Sequence, residues 1–255
     1  MLVADIGNSD IVFGFFDQGK LLHEFRIPSK KDEGSLFFEY RLSNFILEHD
    51  IAQNLYSRAV CSSVVPELTP IVLSILEGLS EGKTHLVKVD SFPEVKVEID
   101  RADELGTDLF CNAVAAYHEH RAACLIVDFG TALTMTAVNS QGQILGVSIS
   151  PGLKTAVHSL FSKTAQLPEV PLEPPASVIG KNTVQAIQAG ILIGYEGLVS
   201  HLIAQFKNEI DEPLKVFATG GLSRALKYET PLFDTIDRHL TLKGLYTIGE
   251  YQFGN

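Results

Sequence analysis

The chain has 255 residues, 45% hydrophobic and 20% charged, with 20 basic against 31 acidic side chains and a formal net charge of −11. One large domain or two smaller ones of this make-up can bury a full core without disulfides or a structural metal. The acidity argues against a general nucleic-acid or anionic-membrane surface, because both attract basic patches, but a local cradle of backbone N–H groups still binds phosphate in an acidic protein.

The N-terminus, Met1-Leu2-Val3-Ala4-Asp5, has neither a basic n-region nor an apolar h-region, so no signal peptide is read. Leu2 to Ala4 predicts a short strand ending in Asp5-Ile6-Gly7-Asn8. Ile11 to Phe16 predicts a second, and Asp17-Gln18-Gly19-Lys20 is a hairpin turn with Gly placed for positive φ. Leu21 to Ile27 predicts a third strand, ended by Pro28. Phe37, Phe38, Leu42, Phe45 and Ile46 recur near helical spacing, which predicts a helix from about Leu36 to Glu48. A strand at Ala59–Val65, a helix opened by Pro66 and Glu67, a strand at Leu86–Val89 and a helix from Glu104 to His120 follow. The histidines at 118 and 120, the pair Lys30-Lys31 and the cluster Glu209-Asp211-Glu212 read as solvated surface.

The pattern then restarts. Leu125 to Val127 is a strand ending in Asp128-Phe129-Gly130-Thr131, followed by strands at Leu133–Val138 and Ile144–Ile149 around the turn Ser140-Gln141-Gly142. Asp5 falls on Asp128, Gly7 on Gly130, Gln18 on Gln141 and Gly19 on Gly142 at a constant offset. A long helix from about Thr183 to Asn208 and a strand at Val216–Ala218 lead to Thr219-Gly220-Gly221. The chain therefore reads as a duplication, with domains at 1–119 and 120–255 and a crossover near Tyr117–Arg121. The run after Asp128 is broken by Gly, Asn, Ser and Gln, so it is no transmembrane segment, and a cytoplasmic location without membrane association is expected. Cys61, Cys111 and Cys124 are widely spaced with no CxxC pair, so buried thiols are expected rather than disulfides or a zinc site.

A D-x-G-[NT] loop after a buried strand suits phosphate. Gly lets the backbone approach a ligand, successive N–H groups form an anion cradle, and the carboxylate can hold a cation that offsets phosphate charge. Asn8, Ser9 and Thr131 add neutral hydrogen-bonding groups. Read as residues alone, Asp5 and Asp128 also fit turn-formers at strand ends, a reading that the paired repeat weakens, Asp108 fits an ordinary first-turn residue of a helix, and Thr183 fits a helix cap.

Motifs along the whole chain resemble the type III pantothenate kinase family, within the actin/hexokinase/Hsp70-like ATPase superfamily. They are Asp5-Ile6-Gly7-Asn8-Ser9, Ser63-Val64-Val65-Pro66, Glu104 to Asp108, Val127 to Ala132, Ile149 to Gly152, Leu167-Pro168, Ile179 to Thr183, Thr219 to Leu222 and Leu240 to Leu245. The D-x-G loop alone marks the superfamily; Gly-x-Asp and Gly-Lys-Asn-Thr in this order are more specific. The resemblance implies an α/β fold of two duplicated ribonuclease-H-like domains, each with a mixed five-stranded sheet flanked by helices, and a cleft between them. It implies ATP-dependent phosphorylation of pantothenate at the start of coenzyme A biosynthesis, in a homodimer using Mg²⁺ and a monovalent cation, K⁺ or NH4⁺. Asp108 then matches the general base, and Asp128 the monovalent-cation ligand. Asp5 matches the Mg²⁺ site, directly or through water. Asp5, Ile6, Gly7, Asn8, Ser9, Asp10, Gly130, Thr131, Gly220 and Gly221 match the ATP side. Ile99, Gly106, Thr107, Asp108, Leu109 and Thr183 match the pantothenate side, Thr183 acting from the neighbouring subunit.

Several positions depart from that pattern. The family's Gly-Ala-Asp-Arg reads Gly106-Thr107-Asp108-Leu109, removing a guanidinium suited to a carboxylate partner. Ile99 stands for a Tyr, Ala102 for a Pro, Thr136 for an Asp, and Gly146-Val147 for a Gly-Gly pair. Two other readings therefore stay open: a kinase of the same fold for another small alcohol, and a weakly catalytic or non-catalytic regulatory paralogue.

Overall fold

The first strand, β1 (Leu2–Ile6), is apolar because it is the middle of a sheet. It pairs antiparallel with β2 (Asp10–Asp17) and parallel with β4 (Ala59–Ser63). The structure is a computed structural model describing residues 1–162, 170–221 and 232–254; Leu167-Pro168 and Leu222 of the motifs above lie outside the described residues. β3 (Lys20–Pro28) joins β2 through Gln18-Gly19, whose φ values of 46° and 81° make the two-residue turn that matches strand twist. With β5 (Thr84–Leu86) the order is β3-β2-β1-β4-β5.

Strand alternation sends Leu2, Ala4 and Ile6 to one face. There they pack with Phe38, Leu42 and Ile46 of α1 (Ser35–Glu48) and with Val72 and Leu76 of α2 (Thr69–Leu79). Helix α2 begins at Thr69 rather than at Pro66, because Val65 O first accepts the Leu68 N–H in a tight turn. A two-residue strand, β6 (Lys96–Val97), precedes a 3₁₀ turn at Ala102–Glu104 and α3 (Thr107–His120).

The second half repeats this plan. β7 (Cys124–Phe129), β8 (Ala132–Val138) and β9 (Gln143–Pro151) form the hairpin set, and β10 (Lys215–Thr219) and β11 (Thr235–Ile236) extend it in the order β9-β8-β7-β10-β11. β7 is antiparallel to β8 and parallel to β10, as β1 is to β2 and β4. Leu125, Val127 and Phe129 face a core shared with Leu192, Tyr195, Val199 and Ile203. Sequence reading does not anticipate α4 (Leu153–Ser162). The predicted long helix comprises α5 (Thr183–Gln188), a π-helical turn at Ala189–Ile193, and α6 (Gly194–Glu209). This stretch is long and apolar enough to cross a membrane by length and composition, yet Leu192, Tyr195, Val199 and Ile203 make it a core helix of this unit.

The chain forms two compact units, Met1–Glu119 with Leu240–Asn255, and His120–His239. The sequence expectation places 120–255 in one domain. The difference is α7 (Leu240–Phe253), which belongs to the first unit. Its Gly244 lies against the Cys111 backbone of α3, where any Cβ would collide. Gly249 lies against Met1 and Val60, and Thr241 Oγ1 donates to the buried Asn112 Oδ1 at 2.8 Å. Two glycines in fourteen residues weaken the helical signal, and the contacts that require them are visible only in three dimensions. Cys61, Cys111 and Cys124 are free and buried.

Candidate active site

Since Leu2, Ala4 and Ile6 face the α1/α2 core, Asp5 projects to the opposite face at the end of the central strand. Asp128 does the same beside Val127 and Phe129. Ser62 Oγ donates to Asp5 Oδ1 at 2.6 Å. The first loop closes through Gly7 N–H to Asp10 O at 3.0 Å, and Ser29 tethers it through its hydroxyl to Gly7 O (2.5 Å) and its N–H to Ser9 O (2.9 Å). Asn8 and Ser9 stay exposed at the tip. Asp10 pairs with Arg26 on β3 at 3.1 Å.

The second loop is braced within its own unit. Gly152 N–H and Thr155 Oγ1 both donate to Thr131 O, at 2.9 and 2.6 Å, and Tyr195 Oη donates to Pro151 O at 2.6 Å. A Cβ on Gly152 would strike the Gly130 and Thr131 carbonyls. Gly220, at φ 87°, brings the Thr219-Gly220 turn against this loop; a Cβ there would lie 2.6 Å from Asp128 Oδ1 and 2.7 Å from Phe129 O. Gly221 follows on the surface.

Asp108 sits half-buried in the first turn of α3. Burial raises its pKa above the ordinary aspartate value, opposed by hydrogen bonds from the Leu109 N–H (2.8 Å to Oδ1) and its own N–H. Gly106 makes room for it, since a Cβ there would overlap Asp108 Oδ1. The Thr107 hydroxyl donates to Ser63 O and accepts from Ser63 N–H, both at 3.1 Å, fixing the helix start to the end of β4. The thiol of Cys111, one turn on, is pushed well up by burial first and then by the carboxylates of Asp5 and Asp108. Neighbouring residues of β4 thus bear on both acidic sites: Ser62 bonds Asp5, and Ser63 bonds Thr107, which precedes Asp108.

A family model described as type III pantothenate kinase matches residues 1–205. The chain belongs to the type III pantothenate kinase family. A relative of that name from Citrifermentans bemidjiense is 38% identical over 258 residues, covering 97% of this chain and 98% of its own. Another from Geotalea daltonii is 36% identical over 245 residues, 96% of each chain. Among solved structures, a Baf-family protein of Campylobacter jejuni aligns with TM-score 0.61 at 18% identity, over 99% of this chain and 98% of that one. The (R)-2-hydroxyglutaryl-CoA dehydratase component A of Acidaminococcus fermentans aligns with TM-score 0.54 at 13% identity, over 98% and 96%. At these identities the two structures speak to the fold alone: two mixed sheets flanked by helices. Membership of that family makes the chain a kinase.

Three further residues read from the sequence are Ile99, Leu109 and Thr183. Ile99 is half-buried at a bend after β6, and Leu109 is only 8% exposed, packed in the core rather than offered to solvent. Thr183 is exposed and is not the cap of its helix: Asn182 Oδ1 accepts the Gln185 N–H at 2.9 Å, and Gln185 Oε1 accepts the Lys181 N–H at 3.1 Å. Thr183 belongs to the second unit and lines a cavity of about 610 Å³ there with Leu160, Lys181, Ile187 and Ile191.

Sequence reasoning passes over Ser62 and Thr134, and reads Thr219 only as the start of the Thr219-Gly220-Gly221 turn. In register, Asp128 stands opposite Thr134 on one side and Thr219 on the other, and both buried hydroxyls lack a hydrogen-bond partner. Only strand pairing reveals that row.

Proposed function

We propose a division of labour for the reaction that family membership assigns, ATP-dependent phosphorylation of the primary hydroxyl of pantothenate in coenzyme A biosynthesis. The observation that carries it is Asp108, a carboxylate in the first turn of α3, whose start is fixed through Thr107 to Ser63, next to the Ser62 that donates to Asp5. Asp108 takes the proton of the substrate hydroxyl as its oxygen bonds to the γ-phosphorus and the bond to ADP breaks. In the first unit the loop of residues 6–10 meets phosphate oxygens at its exposed tip, Asn8 and Ser9; in the second unit Gly130-Thr131 does so, and Gly220-Gly221 border the nucleoside.

Asp5 fits a Mg²⁺ site. Mg²⁺ needs only one or two carboxylates when phosphate oxygens and water complete its shell, and the described residues contain no cluster of three or more His, Cys, Asp or Glu that would form an all-protein cage. Asp128 fits the monovalent cation, since two buried, unpartnered threonine hydroxyls flank it as neutral oxygen donors. When bound, these cations neutralise phosphate charge. Thr183 reaches pantothenate from the partner subunit of a homodimer. In support, Val178 and Ile179 beside its helix are 67% and 74% exposed, an apolar surface suited to burial. The cytoplasm, where ATP is made available, is the proposed location.

The departures at Leu109 and Thr136 concern buried side chains, and the name shared by the relatives favours pantothenate over another alcohol. An ADP-release assay tests this. ADP formation should require pantothenate, Mg²⁺ and K⁺ or NH4⁺ together; no ADP above background at saturating pantothenate overturns it.

A further inference from the structure

Asp5 and Asp128 hold equivalent places in the two sheets, yet their neighbours on the parallel strand behave differently. Asp5 pairs in register with Ser62, which is fully buried and donates to its Oδ1 at 2.6 Å. Asp128 pairs with Thr219, whose buried hydroxyl has no partner. An O–H to carboxylate bond of that length is at the strong end of the range. The terminal torsion of an aspartate is otherwise broad, so a fixed donor removes a freedom the carboxylate would keep in solution.

The next residue along β4 completes the arrangement. Ser63 is gripped at its N–H and its carbonyl by the Thr107 hydroxyl, immediately before Asp108. Consecutive residues of one strand thus bear on both carboxylates, position 62 through its side chain and position 63 through its backbone.

We infer that Ser62 is a positioning residue, whose hydroxyl holds the Asp5 carboxylate in the orientation that meets the divalent ion on ATP. It rests on the reading of Asp5 given above. Ser62 touches neither substrate nor metal; it acts through Asp5.

The test compares the Mg²⁺ dependence of ADP release in the full-length protein. Ser62→Ala should raise the Mg²⁺ concentration for half-maximal rate by about 10- to 100-fold, the span expected for losing one hydrogen bond to a charged group, with an unchanged pantothenate KM. Ser62→Thr keeps a hydroxyl on the same Cβ, and should restore the wild-type Mg²⁺ dependence. A merely structural serine would instead lower Tm in Ser62→Ala and leave the Mg²⁺ dependence where it was, which would overturn the inference. Should Ser62→Ala not fold, Ser62→Cys keeps the volume with a weak donor, and the same shift is required of it. Asp5→Asn, measured in parallel, separates the two levels. A wild-type Mg²⁺ dependence in Asp5→Asn refutes the role of Asp5 itself; an inactive Asp5→Asn beside an unshifted Ser62→Ala refutes Ser62 alone.

Discussion

Asp108→Asn removes a charge and nearly keeps a shape, so it divides catalysis from stability. A general base contributes about 10²- to 10⁴-fold to rate, or about 2.7–5.5 kcal/mol of barrier. The opposite sign is expected for folding. Burial is the largest influence on Asp108 and raises its pKa, and the Leu109 N–H bond at 2.8 Å only partly offsets that. A carboxyl with a folded pKa above its unfolded value contributes its full stability below the unfolded pKa and loses it as pH rises through the folded one. At neutral pH the ionised group therefore works against the fold. The amide oxygen of the substituted side chain can accept the same N–H without carrying a charge. Steady-state ADP release at saturating ATP and pantothenate, with thermal unfolding alongside, should show kcat falling about 10²- to 10⁴-fold while Tm is equal or higher. The acid limb of the wild-type kcat/KM profile, set above the ordinary aspartate range, should vanish in the variant. A kcat within a few-fold of wild type, or a lowered Tm accompanying the loss, would refute the reasoning.

Leu109→Arg should lower Tm, because a guanidinium replaces a side chain only 8% exposed; an unchanged Tm with a lower pantothenate KM would show that the position faces substrate after all. Gly152→Ala forces a Cβ onto the Gly130 and Thr131 carbonyls. It should destabilise by about 1–3 kcal/mol and raise the KM for ATP, read by chemical denaturation and steady-state kinetics. Burial pushes the Cys61 and Cys124 thiols up to about 12, and Cys111 well above its ordinary value. The native protein should therefore resist a thiol-alkylating reagent at pH 8 and expose all three thiols only on unfolding; rapid native labelling followed by mass spectrometry would contradict the burial.

The duplicated hairpins are legible because each signal is local: apolar strands, Gly19 and Gly142 at positive φ, and Asp-x-Gly at the strand end. The helix carrying Asp108 and the long helix after Thr183 are legible for the same reason. What stays hidden depends on which residues meet across strands. Ser62 reads as one of two adjacent serines in an apolar run until β1 and β4 are set in register. Thr134 and Thr219 are likewise ordinary strand residues until they flank Asp128. The return of α7 to the first unit rests on Gly244 and Gly249 meeting other elements closely. Thr183 can be read as a cap because capping chemistry is shared by neighbours in sequence; the geometry gives that task to Asn182. Leu109 reads as a missing charge in the motif and is a packed core residue in the fold.

The central claim is phosphoryl transfer from ATP to the hydroxyl of pantothenate. Mass spectrometry of the acceptor after incubation with ATP, Mg²⁺ and K⁺ tests it most directly. The account predicts pantothenate carrying one added phosphoryl group, formed in step with ADP and absent with Asp108→Asn. Unmodified pantothenate, with ADP either absent or released as simple hydrolysis, would contradict it.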